Sequence, residues 1–203
     1  MKIICIGRNY ADHAKELNNP LPEVPLFFLK PDTALIRKNG PFFIPEHSQD
    51  VHHELELVIR INRIGKHIAP RFAHKYFEEI TLGLDFTARD IQQRCKEKGH
   101  PWEIAKAFDG SAPVGKFVPK SQFKDLNNLT FSLAKNGETV QQGNTKDMIF
   151  PIDELIAYIS RFFTLKIGDL IYTGTPAGVG PVKGGDILVG KLEEEELISC
   201  KVI

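Results

Sequence analysis

The stretch that decides the fold is His52-His53-Glu54-Leu55-Glu56-Leu57-Val58-Ile59-Arg60-Ile61. Apolar residues recur at every second position, and this period of two indicates a β-strand. Side chains two residues apart leave a strand on the same face, so Glu54 and Glu56 are predicted to project side by side. Two adjacent carboxylates are therefore expected in an otherwise apolar strand.

This carboxylate pair has two interpretations. Like charges repel each other and are costly to bury unpaired, and a hard cation such as Mg²⁺ or Mn²⁺, which takes oxygen ligands, resolves that cost. In the simpler alternative the strand has one solvated face, and the Glu-x-Glu pattern on it has no function. On this stretch alone both interpretations stay open.

The composition is that of an ordinary folded domain. The chain has 203 residues, of which 42% are hydrophobic and 14 are Phe, so we expect one domain over 1–203 with an ample core. The 26 basic and 26 acidic residues cancel, and no basic run occurs. Nucleic acid and anionic membranes are therefore poor candidates as partners.

Cysteine usage and the N-terminus predict a cytoplasmic protein. Cys5, Cys95 and Cys200 have neither disulfide-framework nor metal-ligand spacing and are expected to be buried small hydrophobes. The apolar run at the N-terminus is too short for a signal peptide, and no stretch approaches membrane length. A reducing, soluble setting is the expectation.

A short helix is predicted within Arg8 to Leu17, with its stop at Asn18-Asn19-Pro20. His13 and Glu16 are three residues apart, so they share a helix face and can hydrogen-bond. A carboxylate that holds an imidazole raises its basicity, which suits a general base acting on water. The alternative is an exposed pair without a role. If the pair is functional, a short helix beside a proline-rich stretch could be a mobile lid.

A third acidic residue, Asp85, stands at the end of the β-like run Ile80 to Phe86. This position is common for a metal ligand and equally common just before a helix. The following helix is predicted to start at Thr87 in capping-box fashion and to stop at Gly99.

Further polar residues are candidates for the same site. Arg89 and Gln92 are three apart, so both point toward whatever Asp85 faces. Lys106 lies in a mostly apolar stretch and either snorkels to the surface or stands beside an anion in a site. Lys30 ends an apolar strand and is either a solvated strand end or a substrate contact.

The rest of the chain predicts a β-rich α+β fold with few helices. Pro70 to Glu79 is predicted as a helix whose three aromatic residues face the core, and Ile152 to Phe163 as a second amphipathic helix. Asn136-Gly137 is a strong signal for a hairpin turn.

The loop Gly174 to Pro181 is rich in glycine. Its glycines expose backbone N–H groups and Thr175 adds a hydroxyl, so the loop could hold a carboxylate, although a structural turn is the more frequent explanation of such a sequence. It is neither a Walker loop nor a dinucleotide-binding motif, because the required lysine and helix do not follow.

Several motifs follow one another along the chain: Gly7-Arg8-Asn9-Tyr10-Ala11-Asp12-His13, His53-Glu54-Leu55-Glu56, Leu84-Asp85-Phe86-Thr87-Ala88-Arg89-Asp90, Gly137-Glu138, Met148-Ile149-Phe150, Gly168-Asp169 and Thr173 to Gly180. In their order and residue identities these motifs resemble those of the fumarylacetoacetate hydrolase family. Within the family, the chain is most similar to the short, single-domain acylpyruvase and oxaloacetate decarboxylase members. The resemblance runs from Lys2 to about Val202. It implies a β-roll of mixed sheets, a homodimer and a Mg²⁺ or Mn²⁺ cofactor.

The resemblance also implies a role for each candidate residue. The implied roles are metal ligation by Glu54, Glu56 and Asp85, water activation by His13 and Glu16, charge stabilisation beside the metal by Lys106, and substrate contact by Arg89, Gln92, Gly174 and Thr175.

The activity implied by the resemblance is metal-dependent C–C bond cleavage in small 2-oxoacids, through acylpyruvate hydrolysis, oxaloacetate decarboxylation or both. One alternative is an isomerase or decarboxylase of 2-hydroxyhepta-2,4-diene-1,7-dioate-type compounds, as in longer relatives. Another is a non-catalytic fold in which a cation only neutralises the carboxylates. The pair His13 and Glu16 favours hydrolysis, because isomerisation needs no activated water and a structural metal needs no base.

Overall fold

The computed structural model describes residues 1–17 and 20–203, which form fifteen β-strands and five α-helices and confirm the predicted α+β class. The predicted helix stop at Asn18 and Asn19 lies outside the described residues. The strands are β1 Ile3–Gly7, β2 Leu26–Lys30, β3 Leu35–Ile36, β4 Val51–His53, β5 Leu55–Ile61, β6 Phe77–Leu84, β7 Thr87–Ala88, β8 Ala112–Pro113, β9 Val118–Pro119, β10 Thr130–Lys135, β11 Glu138–Asn144, β12 Leu170–Tyr172, β13 Gly180–Pro181, β14 Ile187–Leu192 and β15 Glu195–Lys201. The helices are α1 Ala11–Glu16, α2 Pro70–Ala73, α3 Arg89–Lys98, α4 Glu103–Lys106 and α5 Ile152–Phe162.

Two sheets carry most of the strands. The larger has the order β2-β1-β12-β5-β6-β9, in which β1 and β12 are parallel and the other neighbours antiparallel. The second, β11-β10-β14-β15, is antiparallel throughout. Both sheets and α5 share one core, which includes Leu57 of β5, Leu133 of β10 and Ile156 of α5.

The central strand β5 is buried on both faces. Leu57 and Ile59 belong to the main core, whereas Val58 packs with Tyr172 in a second cluster on the opposite side. The predicted strand is confirmed, although the ladder breaks at Glu54, between β4 and β5. Core clusters cover both faces of β5, and Glu54 and Glu56 are themselves buried, so the solvated-face interpretation of the carboxylate pair is wrong.

The predicted helix Pro70 to Glu79 is too long. Only α2 is helical, and Phe77 already begins β6, where it pairs with Ile61. The ladder shifts at this point because Arg60 faces Glu79, which leaves Glu78 as an extra bulged residue. The spacing of Phe72, Tyr76 and Phe77 is compatible with one face of a helix, but the pairing of Phe77 with Ile61 places it in the sheet. Phe72, predicted to face the core, is exposed.

The capping box predicted at Thr87 is also wrong. Thr87 and Ala88 pair with β4, α3 begins at Arg89, and no side chain caps it. Asp90 instead accepts a hydrogen bond from Ser48 at 2.6 Å. Tertiary pairing has thus overridden a local signal.

Other local predictions are confirmed. Gly99 ends α3 with φ of +65°, and Asn136-Gly137 forms a hairpin turn with positive φ at both residues. The three cysteines are buried and free. Among the described residues no helix is long and apolar enough to cross a membrane.

Candidate active site

Three carboxylates meet at one end of β5. Glu54, Glu56 and Asp85 each offer an oxygen within 4.8 Å of the others, and their residues are 5%, 1% and 1% exposed. Glu54 and Asp85 are brought together by the β5–β6 ladder, in which Leu55 faces Leu84 and the Asp85 N–H donates to the Glu54 carbonyl at 2.8 Å. Two separate stretches of sequence therefore form one acidic cluster.

Gly174 holds the third carboxylate. Its N–H donates to Glu56 Oε2 at 2.6 Å, and its φ is +102°. A Cβ at this position would lie 2.6 Å from the Asn9 Cβ. Only glycine therefore allows both the backbone conformation and the close approach to Asn9.

Asn9 fixes this arrangement and was not a candidate from the sequence. Its Nδ2 donates to the carbonyls of Thr173 and Phe150, and its Oδ1 accepts from the Phe150 N–H at 2.8 Å. The only available signal was its place in the motif that begins at Gly7, and its partners lie more than 140 residues away. Asn9 acts as a buried clamp between the N-terminal turn and the loop after β12.

Two cations neutralise Glu54. Lys106 Nζ donates to Glu54 Oε2 at 2.8 Å and to Asp85 Oδ2 at 2.9 Å, and Arg89 donates to Glu54 Oε1 at 2.5 Å. Lys106 is 3% exposed, so of its two interpretations the one beside an anion is correct and snorkelling is wrong. Arg89 also donates to Gln92 Oε1 at 2.7 Å, as their helical spacing predicts.

Lys30 belongs to the same cluster. Its Nζ lies 2.8 Å from Asp85 Oδ1 and donates to the Ser111 carbonyl and hydroxyl at 2.9 and 3.0 Å. The residue is 2% exposed, so the solvated strand end is wrong. Lys30 thus pairs with Asp85, a candidate metal ligand, and no local sequence pattern predicted this contact.

The pKa values of Glu54 and Glu56 are shifted in opposite directions. Burial disfavours the charged form of Glu54, but Lys106 and Arg89 outweigh it and lower the pKa of its carboxyl. Burial, followed by the charges of Asp85 and Glu54, raises the pKa of Glu56 well above its ordinary value. Glu56 also forms no ion pair within residues 1–17 and 20–203, so it gains most from an added cation.

His13 and Glu16 lie across the cleft on α1. His13 Nδ1 is 3.0 Å from Glu16 Oε2, and Glu16 Oε1 accepts from the Gly178 N–H at 3.0 Å. His13 is buried, so the exposed-pair interpretation is wrong for the histidine. The helix begins at Ala11, three residues later than the start of the predicted stretch. Contact with the loop after β12 fixes the pair at the cleft.

Of the four predicted substrate contacts, Arg89, Gln92 and Thr175 lie in the same cleft, whereas Gly174 is not a lining residue and donates its N–H to Glu56. The cleft is lined by, among others, His13, Glu54, Asp85, Arg89, Gln92, Lys106 and Thr175. The Thr175 hydroxyl accepts from Gln141 Nε2 at 2.9 Å, which leaves its own proton free to donate. Gln141, which the sequence did not suggest, also accepts from the Leu55 N–H at 3.0 Å and thereby ties this loop to β5.

The cluster fits a divalent cation. Carboxylate oxygens are the ligands that Mg²⁺ and Mn²⁺ take, and three of them converge here in a buried setting. Asp85 Oδ1 is a buried oxygen without a hydrogen bond among the described residues, since Lys30 approaches it only as an ion pair. A bound cation would offset the repulsion among the three carboxylates.

A fold of mixed sheets with a buried acidic cluster, a bridging lysine and a histidine–glutamate pair defines a class of enzymes built around an acidic metal centre. The model of the family described as fumarylacetoacetate (FAA) hydrolase C-terminal matches residues 2–200. The chain belongs to the fumarylacetoacetate hydrolase family, as the motifs predicted.

Named relatives cover nearly the whole chain. The mitochondrial oxaloacetate decarboxylase of Dictyostelium discoideum is 48% identical over 92% of this chain and 86% of its own length. The oxaloacetate tautomerase YcgM of Escherichia coli is 47% identical over 92% and 86%. The structure of fumarylpyruvate hydrolase from Pseudomonas aeruginosa in complex with Mn²⁺ and pyruvate matches with a TM-score of 0.94 and 39% identity, over 100% of this chain and 89% of that one.

Proposed function

We propose that this protein is a divalent-metal-dependent enzyme that breaks a C–C bond in small 2-oxoacids, by oxaloacetate decarboxylation, acylpyruvate hydrolysis or both, through a pyruvate enolate. The observation that carries the proposal is the buried cluster of Glu54, Glu56 and Asp85, bridged by Lys106 and faced by His13. The decarboxylase and fumarylpyruvate hydrolase relatives support this substrate class.

We assign the metal site to the three carboxylates, with Mg²⁺ or Mn²⁺ as the ion. The Mn²⁺ in the related fumarylpyruvate hydrolase supports a divalent ion. Bound there, the ion would act as a Lewis acid that polarises the 2-oxo group and offsets the charge of the enolate. Arg89, Gln92 and Thr175 line the cleft and orient the substrate carboxylate, whereas Gly174 acts through its hydrogen bond to Glu56.

Lys106 supplies the protein's own stabilisation of the enolate. It is buried, and although burial disfavours its charged form, the neighbouring carboxylates outweigh this effect and raise its pKa. The ammonium group therefore stays charged in a site of low dielectric, where a fixed cation stabilises a developing negative charge more strongly than water does.

His13 serves the hydrolytic reaction. Its Nδ1 faces Glu16, so the carboxylate fixes the ring orientation and leaves Nε2 to take the proton of a water molecule. Decarboxylation needs only the stabilised enolate and does not need this base. The two reactions should therefore depend on His13 to different degrees.

Tautomerisation of oxaloacetate is a second candidate activity. The Escherichia coli relative is an oxaloacetate tautomerase. Moving a proton between C3 and the 2-oxo oxygen passes through the enolate of oxaloacetate itself, which keeps the C4 carboxylate. Its charged oxygen is of the same kind as that of the pyruvate enolate, so Lys106 can stabilise it in the same way. Three further features remain predictions from the sequence: a single domain over 1–203, a homodimer and a cytoplasmic location.

The test is the decay of ultraviolet absorbance of acetylpyruvate and oxaloacetate with metal-stripped protein, with and without added Mg²⁺, and with pyruvate release measured in parallel. We expect Mg²⁺-dependent loss of both substrates. His13→Ala should slow acetylpyruvate hydrolysis by roughly a hundredfold or more and change decarboxylation little, because a positioned general base contributes at least that factor. His100→Ala, at an exposed histidine, is the matched control.

Other outcomes identify other functions. Loss of oxaloacetate enol without matching pyruvate release indicates a tautomerase, and no turnover of either substrate directs the search to dienedioates. A Mg²⁺ effect on melting temperature alone indicates a structural ion. Full metal-dependent turnover by Glu54→Gln would refute the assigned metal centre.

A further inference from the structure

A buried glutamine stands behind the cleft, in strand β11. Gln141 is 2% exposed and faces Leu133 of the main core across the β10–β11 ladder. The ladder shifts beside it, since Ala134 faces Thr139, which leaves Val140 as an extra, bulged residue. A polar side chain in a core is costly unless its hydrogen bonds are made, and a bulge near an active site commonly re-aims a side chain. The position of Gln141 therefore requires an explanation.

Four hydrogen bonds fix the Gln141 amide in one orientation. Its Oε1 accepts from the Leu55 N–H at 3.0 Å and from His53 Nδ1 at 2.9 Å. Its Nε2 donates to the Pro176 carbonyl at 3.0 Å and to Thr175 Oγ1 at 2.9 Å. A backbone N–H can only donate and a backbone carbonyl can only accept, so the amide cannot be turned around. For the same reason His53 carries a proton on Nδ1.

This orientation decides the polarity of the Thr175 hydroxyl. A hydroxyl has one proton to donate and an oxygen that can accept. Because Gln141 Nε2 donates to Thr175 Oγ1, the hydroxyl proton is not used in this contact, and Oγ1 forms no other hydrogen bond within residues 1–17 and 20–203. Thr175 lines the cleft together with Arg89 and Lys106. The cleft thus receives a hydroxyl donor in addition to two cations, a combination that suits a carboxylate.

Other contacts also hold the backbone of this loop in place. A Cβ at Gly178 would lie 2.3 Å from the Val140 carbonyl oxygen, so the loop packs directly on β11. The Gly174 N–H donates to Glu56 Oε2 at 2.6 Å. These contacts use backbone atoms of the loop and do not involve the Gln141 side chain. The position of the loop and the polarity of its hydroxyl can therefore be tested separately.

We propose that Gln141 is a positioning residue, which fixes the Thr175 hydroxyl as a hydrogen-bond donor to the substrate carboxylate. His53 and the Leu55 N–H hold the Gln141 amide in the orientation that this task requires. The inference rests on the proposed function, since it takes the cleft as the place where the carboxylate of a 2-oxoacid binds.

The test is equilibrium binding of pyruvate, measured by calorimetry on the Mg²⁺-loaded 203-residue protein. Gln141→Glu keeps the shape of the side chain and both contacts of Oε1 but offers no N–H to Thr175, whose hydroxyl then donates to the new carboxylate and turns a lone pair toward the ligand. Pyruvate should bind about tenfold more weakly, the value of one hydrogen bond to a charged group. Gln142→Glu adds the same charge at the exposed neighbouring residue and should bind pyruvate as the native protein does.

A double-mutant cycle with Thr175→Val separates positioning from a simple effect of charge. Thr175→Val removes the hydroxyl and should itself weaken pyruvate binding about tenfold. If Gln141 acts through this hydroxyl, adding Gln141→Glu to Thr175→Val should weaken binding by no more than about twofold further. The same tenfold loss in both backgrounds would mean that the added charge repels the ligand directly, and would overturn the inference.

The affinity for Mg²⁺ distinguishes positioning from a merely structural role. The loop also holds Glu56 through the Gly174 N–H, so a variant that displaces the loop should bind both Mg²⁺ and pyruvate more weakly. Gln141→Glu should weaken pyruvate binding alone, with the dissociation constant of Mg²⁺ unchanged. Parallel losses of both affinities would assign Gln141 to the structure of the loop and overturn its positioning role.

A second variant covers the case in which Gln141→Glu does not fold. Gln141→Met removes the donor without adding charge, and it should weaken pyruvate binding about threefold in the native background and not at all with Thr175→Val. Native-like pyruvate binding by the Gln141 variants would overturn the inference while leaving the proposed function intact. The proposed function fails differently, because the native protein itself would then show neither Mg²⁺-dependent pyruvate binding nor turnover, and the inference would fall with it.

Discussion

At the scale of single residues, Lys30 illustrates how strongly context decides the role of a charge. At an exposed strand end the same side chain would be solvated and would contribute little to the free energy of unfolding. Here it is buried against Asp85 and Ser111. Removing one partner of a buried ion pair leaves the other charge uncompensated, which costs far more than the loss of a surface pair.

We therefore expect Lys30→Met to lower the free energy of unfolding of the metal-free protein by about 3 kcal/mol. Lys116→Met removes an exposed partner of Glu195 and should change it by less than about 0.5 kcal/mol. Urea unfolding of both variants at pH 7 gives the comparison. Equal, small losses in the two variants would contradict the buried pair.

At the scale of elements, Asp186 joins two hairpins. Asp186 Oδ1 accepts from Asn136 in the β10–β11 turn, and Oδ2 accepts from the Lys183 N–H just before β14, both at 2.9 Å. Burial disfavours the charged form, but these hydrogen bonds outweigh it and lower the pKa of Asp186 below its ordinary 3.8.

A group whose pKa is lower in the folded state stabilises the fold at pH values above its unfolded pKa, and this stabilisation is lost as the pH falls through the folded value. Asp186→Asn should therefore reduce the free energy of unfolding by about 1 kcal/mol at pH 7. The difference from the native protein should shrink below pH 3.8. Urea unfolding between pH 7 and 3 measures it, with the exposed Asp109→Asn as control. A difference that is independent of pH would exclude the charge as its cause.

At the scale of the whole molecule, metal binding should be coupled to stability. The carboxylate cluster joins β5, β6 and the loop after β12, so an ion that binds only the folded state stabilises all of them together. Each tenfold rise in free Mg²⁺ above the dissociation constant should add about 1.4 kcal/mol.

Thermal unfolding across a Mg²⁺ titration measures this coupling. Metal-stripped native protein should show a melting temperature that rises with added Mg²⁺, and Glu56→Gln should lose most of the rise because it removes a proposed ligand. Glu138→Gln, at an exposed glutamate, should behave as the native protein does. The same rise in Glu56→Gln would mean that the ion binds elsewhere.

Sequence alone determined what short spacing and local geometry control. The alternating pattern from His52 to Ile61 predicted a strand and the proximity of the Glu54 and Glu56 carboxylates. The spacing of three predicted the contact of His13 with Glu16, and Gly99 ends its helix as expected. These features depend on neighbours within one turn or one strand, so a local pattern contains the necessary information.

Only the tertiary structure decided which distant residues complete the site. The partner of Lys30, the Asn9 clamp and the loop contacts of Gln141 all join segments far apart in the chain. The same holds for the strand at Phe77, where pairing with Ile61 and a bulge overrode a helical spacing. The physical reason is that burial and strand pairing depend on residues that are distant in the sequence and meet only when the chain folds back on itself. A stretch of a few residues does not contain that information.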